Sequence, residues 1–171
     1  NNILHTQGDL SVQGDASQLR VVADNITQSS AIAVTGSSNL TANSIELSNA
    51  ENDFQGAVEL AVTGQTNIRD RNNLIVSGDV QDLNSTSGGT LTLQELNAEN
   101  LFANANQIQL NKLAVSNNSS LNATNNIGQT AEVSLGGLSS LAAQTVQLDN
   151  SENDFGSSLA LNVSDNATVR D

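Results

Sequence analysis

An all-β chain wound as a right-handed parallel β-helix, or β-solenoid, is the architecture this sequence predicts. Three observations predict it. Apolar residues alternate with polar ones in short runs, the phrase SNAENDF at 48–54 returns as DNSENDF at 149–155, and Asn, Gly, Ser and Asp fill the gaps between the runs. Alternation with a period of two places every second side chain on one face of a strand. A phrase returning at a fixed spacing marks a repeat architecture. The gap residues tolerate tight turns, glycine for steric reasons and Asn or Asp through local hydrogen bonds.

The alternating runs, in chain order, are Ile32-Ala33-Val34, Ile45-Glu46-Leu47, Val58-Glu59-Leu60-Ala61-Val62, Leu74-Ile75-Val76, Leu91-Thr92-Leu93, Ile108-Gln109-Leu110, Leu113-Ala114-Val115, Val133-Ser134-Leu135, Val146-Gln147-Leu148 and Leu159-Ala160-Leu161-Asn162-Val163. Each reads as a short strand with its apolar members inward. No segment holds a 3.6-residue apolar stripe over three turns, so helix is not expected. Strands this short, with small turn residues between them, suit a stacked solenoid. A β-sandwich wants longer strands and core aromatics. The expected coil has about three strands and roughly 21–25 residues, giving about seven coils at the usual strand spacing.

The repeat defines the organisation. Residues 24–70 laid over 125–171 without a gap give 17 identical pairs in 47, and most other pairs exchange Leu, Ile and Val or small polar residues. A weaker echo, NAENLF at 97–102, belongs to a degenerate copy around 91–115. The three phrases hold Phe54, Phe102 and Phe155, the chain's whole complement of Phe, and Trp and Tyr are absent. Two coils between successive copies would bring the three rings to one face on every second rung. The flanking Asn49, Asn52, Asn150 and Asn153 are placed to bond neighbouring backbone at the turns. Residues 1–171 are read as a single solenoid segment. Because the second copy stops at Val-Arg-Asp where the first runs on, the segment is expected to be a window of a longer array.

Composition excludes several partners. A net charge of −13 with five basic residues in 171 offers no footprint for phosphates, so nucleic acid is not expected, and an anionic membrane surface would repel the chain. No stretch is long and apolar enough for a membrane-embedded helix. The absence of Cys fits a cytosolic protein and equally an exported one.

The run Asn49-Ala50-Glu51-Asn52-Asp53-Phe54-Gln55-Gly56-Ala57-Val58, followed by Thr66-Asn67-Ile68-Arg69-Asp70-Arg71-Asn72-Asn73-Leu74-Ile75-Val76, resembles the repeats of filamentous-haemagglutinin-type adhesins of Gram-negative bacteria. Those are large exoproteins exported by two-partner secretion. The resemblance covers 24–70 and 125–171. It implies a β-helical shaft, extracellular or on the bacterial cell surface, that supports cell adhesion or a biofilm matrix. Against that pattern the chain is poorer in Gly and more acidic.

Little in the sequence points to catalysis. His5 is the only histidine and Lys112 the only lysine; Arg20, Arg69, Arg71 and Arg170 are the only arginines. One histidine leaves a Ser-His-Asp triad almost without candidates. The pairs Arg69-Asp70 and Arg170-Asp171 read as repeated surface ion pairs. Glu51 with Asp53, and Glu152 with Asp154, could offer oxygen ligands to calcium, but the turn reading as solvated polar residues is simpler. The expectation is therefore a non-enzymatic segment with no catalytic residue, no cofactor and no metal. Its expected partners are neighbouring repeats of the same chain, with surface or matrix polysaccharide as a further candidate. A β-helical lyase or hydrolase acting on polysaccharide is the rival, as is a matrix filament assembling end to end.

Overall fold

The computed structural model describes residues 2–5, of which only Leu4 is described to its side chain, and residues 8–171. The side chain of His5 lies outside the described residues. Fourteen strands follow in order: β1 Asn2–His5, β2 Asp9–Ala16, β3 Leu19–Val22, β4 Asn25–Val34, β5 Ser38–Ala42, β6 Ser44–Leu47, β7 Asp53–Phe54, β8 Val58–Asp70, β9 Leu74–Ser87, β10 Thr90–Val115, β11 Ser119–Gln129, β12 Val133–Leu135, β13 Leu138–Leu148 and β14 Ser158–Val169. All strand pairings are parallel and join each turn of chain to the next. This is a parallel β-solenoid. No helix among the described residues is long and apolar enough to cross a membrane.

One column of stacked residues runs Leu10, Ile26, Ile45, Thr66, Leu83, Leu101, Ser119, Ser139 and Leu159, each paired with the next. These steps make about eight turns, which at strand spacing is a rod of about 38 Å. The coils are shorter than the sequence suggests. Partners lie 17 or 18 residues apart between Val58 and Ser119, and 19 to 21 within the two repeat copies. The expected 21–25 residues per coil counted a full strand on every side. In the middle of the rod one side instead narrows to a corner of about three residues, Arg71–Asn73.

The alternating runs form strands with the expected inward members. Ile32 and Val34, Ile45 and Leu47, Val58 to Val62, Leu74 and Val76, Leu91 and Leu93, Ile108 and Leu110, Leu113 and Val115, Val133 and Leu135, and Val146 and Leu148 are all buried in one continuous core. The run at 159–163 differs. It lies in β14, which pairs only with β13 below it, so Leu161 is exposed.

The two repeat copies do not lie on the same faces. Ile26 and Ile45 stand in the first column, whereas Ile127 and Val146, their counterparts 101 residues on, stack above Ile108 in a separate column. Conversely Leu40 and Leu60 pair on the second face, and their counterparts Leu141 and Leu161 pair on the first. Five rungs carry the first column from Ile26 to Ser119, and the next eight residues take the chain round one more corner to Ile127. The repeat length is therefore five turns plus one face. The second copy is the first, turned about the rod axis by one side.

That rotation corrects the expectation for the three rings. Phe54 is 1 % exposed, in the third-side strand β7 beside Val34. Phe155 is half-buried against the core just after the Ser134–Asp154 bridge. Phe102 points outward from the first face, between Asn84 and Ser120, and is 43 % exposed. The echo at 97–102 is one of sequence and not of structure.

Candidate functional site

The repeated phrase builds a clasp between coils. Fully buried Asn52 accepts hydrogen bonds at Oδ1 from the Ile32 N–H (3.1 Å) and from Gln28 Nε2 (2.8 Å). Its Nδ2 donates to Gln28 Oε1 (3.0 Å) and to the Leu47 carbonyl (3.0 Å). Gln28 also receives the Asn49 N–H and donates to the Ser30 carbonyl. Every one of these contacts returns in the second copy. Asn153 accepts from the Val133 N–H and Gln129 Nε2 and donates to Gln129 Oε1 and the Leu148 carbonyl, and Gln129 bonds Asn150 and Ala131. Asn49 and Asn150 each close a turn by accepting the N–H two residues on, from Glu51 and Glu152. The Asn residues thus bond backbone as the sequence indicates. Gln28 and Gln129, identical in the two copies, are the partners that a search confined to the flanking Asn residues passes over.

The Arg-Asp phrases also have a different role from the one expected. Asp70 is buried and accepts the Phe54 N–H one coil below (2.5 Å) and the Asn72 N–H (2.7 Å). Asp171 accepts the Phe155 N–H in the same way (2.9 Å). The ion pair in this region is Arg71 with Asp53, at 2.5 Å, and Arg69 is exposed. These aspartates cap a backbone donor that no strand pairs; they are not surface ion pairs with the arginine beside them. Burial pushes the Asp70 carboxyl above the ordinary carboxylate range, against the pull of its two N–H donors. Asp53 is held below that range, chiefly by the Asn72 amide, with Gln55 and Arg71 adding to it.

Of the remaining candidates, Glu51, Glu152 and Asp154 are exposed, while Asp53 is committed to Arg71 and Asn72. Lys112 faces Glu132 on the next rung at 3.9 Å, and Arg20 and Arg170 are exposed. Among the described residues no cluster of three or more His, Cys, Asp or Glu side chains is arranged to hold a metal.

Several hollows mark the described surface, and two of them have an apolar lining edged by polar groups. A groove of about 690 Å³ follows the corner at Val62, Val80, Ala98 and Val115 and is edged by Asp79 and Glu99. Asp79 is tied to Asn97 (2.8 Å). A second, of about 380 Å³, surrounds Phe102 on the first face and is lined by Gln65, Asp82, Asn84, Asn100, Asn118 and Ser120. Asn100 bridges two rungs here, donating to Asp82 (2.7 Å) and accepting the Asn118 N–H (3.2 Å), while Asn118 accepts the Leu138 N–H. The result is a ring standing among side-chain amides and hydroxyls that a run of hydrogen bonds holds in place.

No curated protein and no solved structure matches the chain. A family of repeats of unknown function (DUF5649) matches over residues 1–61 and 96–162, and the two matches end 101 residues apart, the spacing of the two clasped copies. With most of the chain covered, and with the same spacing in family match and fold, this protein belongs to the DUF5649 repeat family.

Proposed function

We propose that the chain is a non-enzymatic structural shaft of a secreted or surface-displayed bacterial adhesin, supporting attachment between cells, to surfaces or to a biofilm matrix. One observation carries the reading. The same clasp, Gln28 with Asn52 and Gln129 with Asn153, ties adjacent coils at two heights of an unbroken parallel ladder. A rod built this way resists bending because each rung is joined to the next by backbone bonds, buried Leu, Ile and Val columns and a desolvated side-chain lock. Its length scales with the number of repeats, which is what a spacer between a cell and its target needs. The likeness of residues 49–76 to filamentous-haemagglutinin-type repeats agrees with this use and with display outside the cell.

The test exploits the repeat. Deleting residues 24–124 joins the second copy to the chain where the first began, and removes five turns and one face, about 25 Å of rod. Expressed within the parent protein on cells, the shortened form should still attach, at reduced reach, and electron microscopy should show rods shorter by that length. Loss of all attachment with rods intact would make the deleted coils a binding element. Release of reducing ends from polysaccharide by the purified chain would replace the shaft with an enzyme.

A further inference from the structure

We infer that the hollow around Phe102 is a binding platform for an uncharged polysaccharide chain, lying on the side of the rod. The argument begins with the ring. Of the chain's three phenyl side chains Phe102 alone is exposed, and the other two are withdrawn into or against the core. Phe102 occupies an outward strand position whose neighbours one rung down and one rung up are Asn84 and Ser120. Both are small enough to leave the ring face open.

Around it stand the groups that bind hydroxyls. Among the described residues the side-chain amides of Asn84 and Gln65 make no hydrogen bond within the chain, and the Asn118 amide uses its oxygen but not its nitrogen. Each therefore presents a donor, an acceptor or both to the hollow. The Asn100 side chain is by contrast locked between Asp82 and Asn118, so it shapes the floor. An aromatic face offers apolar contact to the C–H face of a pyranose, and fixed amides beside it match equatorial hydroxyls.

Shape and charge narrow the ligand. The lining comes from four successive rungs, at Gln65, Asp82–Asn84, Asn100–Phe102 and Asn118–Ser120, so the hollow runs about 14 Å along the rod. That is an elongated cleft suited to several linked rings. No Lys or Arg lines it, Asp82 does, and the chain carries a net charge of −13. Uronic-acid and sulfated polymers would be repelled, which leaves chains of neutral or N-acetylated hexoses. This inference stands apart from the shaft reading. A shaft with no platform, or a platform on a chain that is no shaft, are both coherent outcomes.

The chain's lack of Trp supplies the assay. Phe102→Trp introduces a single indole whose emission reports contact with a sugar ring. Titration with cellohexaose and with N-acetylchitohexaose should shift that emission to shorter wavelength for at least one of them, and calorimetry on the unmodified chain should give binding in the micromolar to millimolar range. Phe102→Ala should lose roughly ten- to hundredfold in affinity, the factor expected for withdrawing a ring's apolar contact. Asn84→Ala with Gln65→Ala should weaken binding while leaving the far-ultraviolet dichroism unchanged. Alginate should not bind. The inference is overturned if neither neutral hexasaccharide binds the unmodified chain, if Phe102→Ala binds as well as the unmodified chain, or if alginate binds in preference. It is also overturned if sedimentation shows that Phe102→Ala abolishes a self-association, for the ring would then be covered by a second copy.

Discussion

Replacing Asn52 with alanine tests the clasp most directly. The Asn52 side chain satisfies two buried backbone groups on different coils, the Ile32 N–H and the Leu47 carbonyl, in addition to its reciprocal pair with Gln28. Ile32 and Leu47 are themselves buried, so water has no ready path to the groups left behind. An unsatisfied buried donor or acceptor costs roughly 1–3 kcal/mol, which for two such groups gives about 4 kcal/mol. Gln28→Ala also removes the side-chain bonds to the Ser30 carbonyl and the Asn49 N–H, but Ser30 is exposed and Gln28 and Asn49 are only half-buried, so water can replace part of what is lost and the cost should be smaller, about 1–2 kcal/mol. The two changes share a contact, and their combined cost should fall short of the sum. Urea unfolding followed by far-ultraviolet dichroism measures the loss. Amide hydrogen exchange at Ile32 assigns it, since that proton should lose protection in Asn52→Ala before its neighbours do. A shift below about 1 kcal/mol with Ile32 still protected would show that the clasp is bystander to the stacking and would refute the reasoning.

Two of the three rings give a contrast: Phe54→Ala should cost about 3–5 kcal/mol because it empties a packed site, whereas Phe102→Ala should fall within about 0.5 kcal/mol of the parent in the same urea melts. Gly78 has φ +106° and a Cβ there would run into the Leu60 carbonyl oxygen, so Gly78→Ala should lower the melting temperature clearly. Lys112 has φ +63°, and Lys112→Gly should be neutral or stabilising by up to about 1 kcal/mol; a large loss there would point to a role for the Lys112–Glu132 contact. For Asp70 the sign follows from its raised carboxyl. The folded chain holds that proton to higher pH than the unfolded chain, so this group's contribution is most favourable at acid pH and declines as pH rises from the ordinary carboxylate range through the folded value. Stability of the parent minus that of Asp70→Asn should therefore fall with rising pH over that window. A difference that rises instead would mean that the Phe54 and Asn72 N–H groups outweigh burial.

How much of this was legible beforehand differs between the rod and its surface. The inward members of the alternating runs could be assigned from the period alone, because a strand offers each side chain only two directions and water decides between them. The need for Asn at 49 and 52 was visible in the repeat, and Gln28 would have been too, being identical to Gln129. The cap that Asp70 places on Phe54 was not visible, for it joins residues 16 apart across a coil boundary whose position depends on coil length. The same gap hid the platform: Phe102 looked like a third copy of Phe54, and only the register shows it facing out beside Asn84.

The division has one physical cause. Sequence by itself determined the local facts, namely β conformation, which side chains of each run are apolar, where the turns fall, and that two segments 101 residues apart are alike. Coil length belongs to the tertiary structure, since it is set by how tightly successive corners close when one rung stacks on the next. Small differences accumulate: rungs of 17 or 18 residues in the middle and 19 to 21 in the copies leave the repeat one face beyond a whole number of turns. Which face a residue occupies is thus a sum over all the coils beneath it, and that sum decides whether a phenylalanine is core or surface.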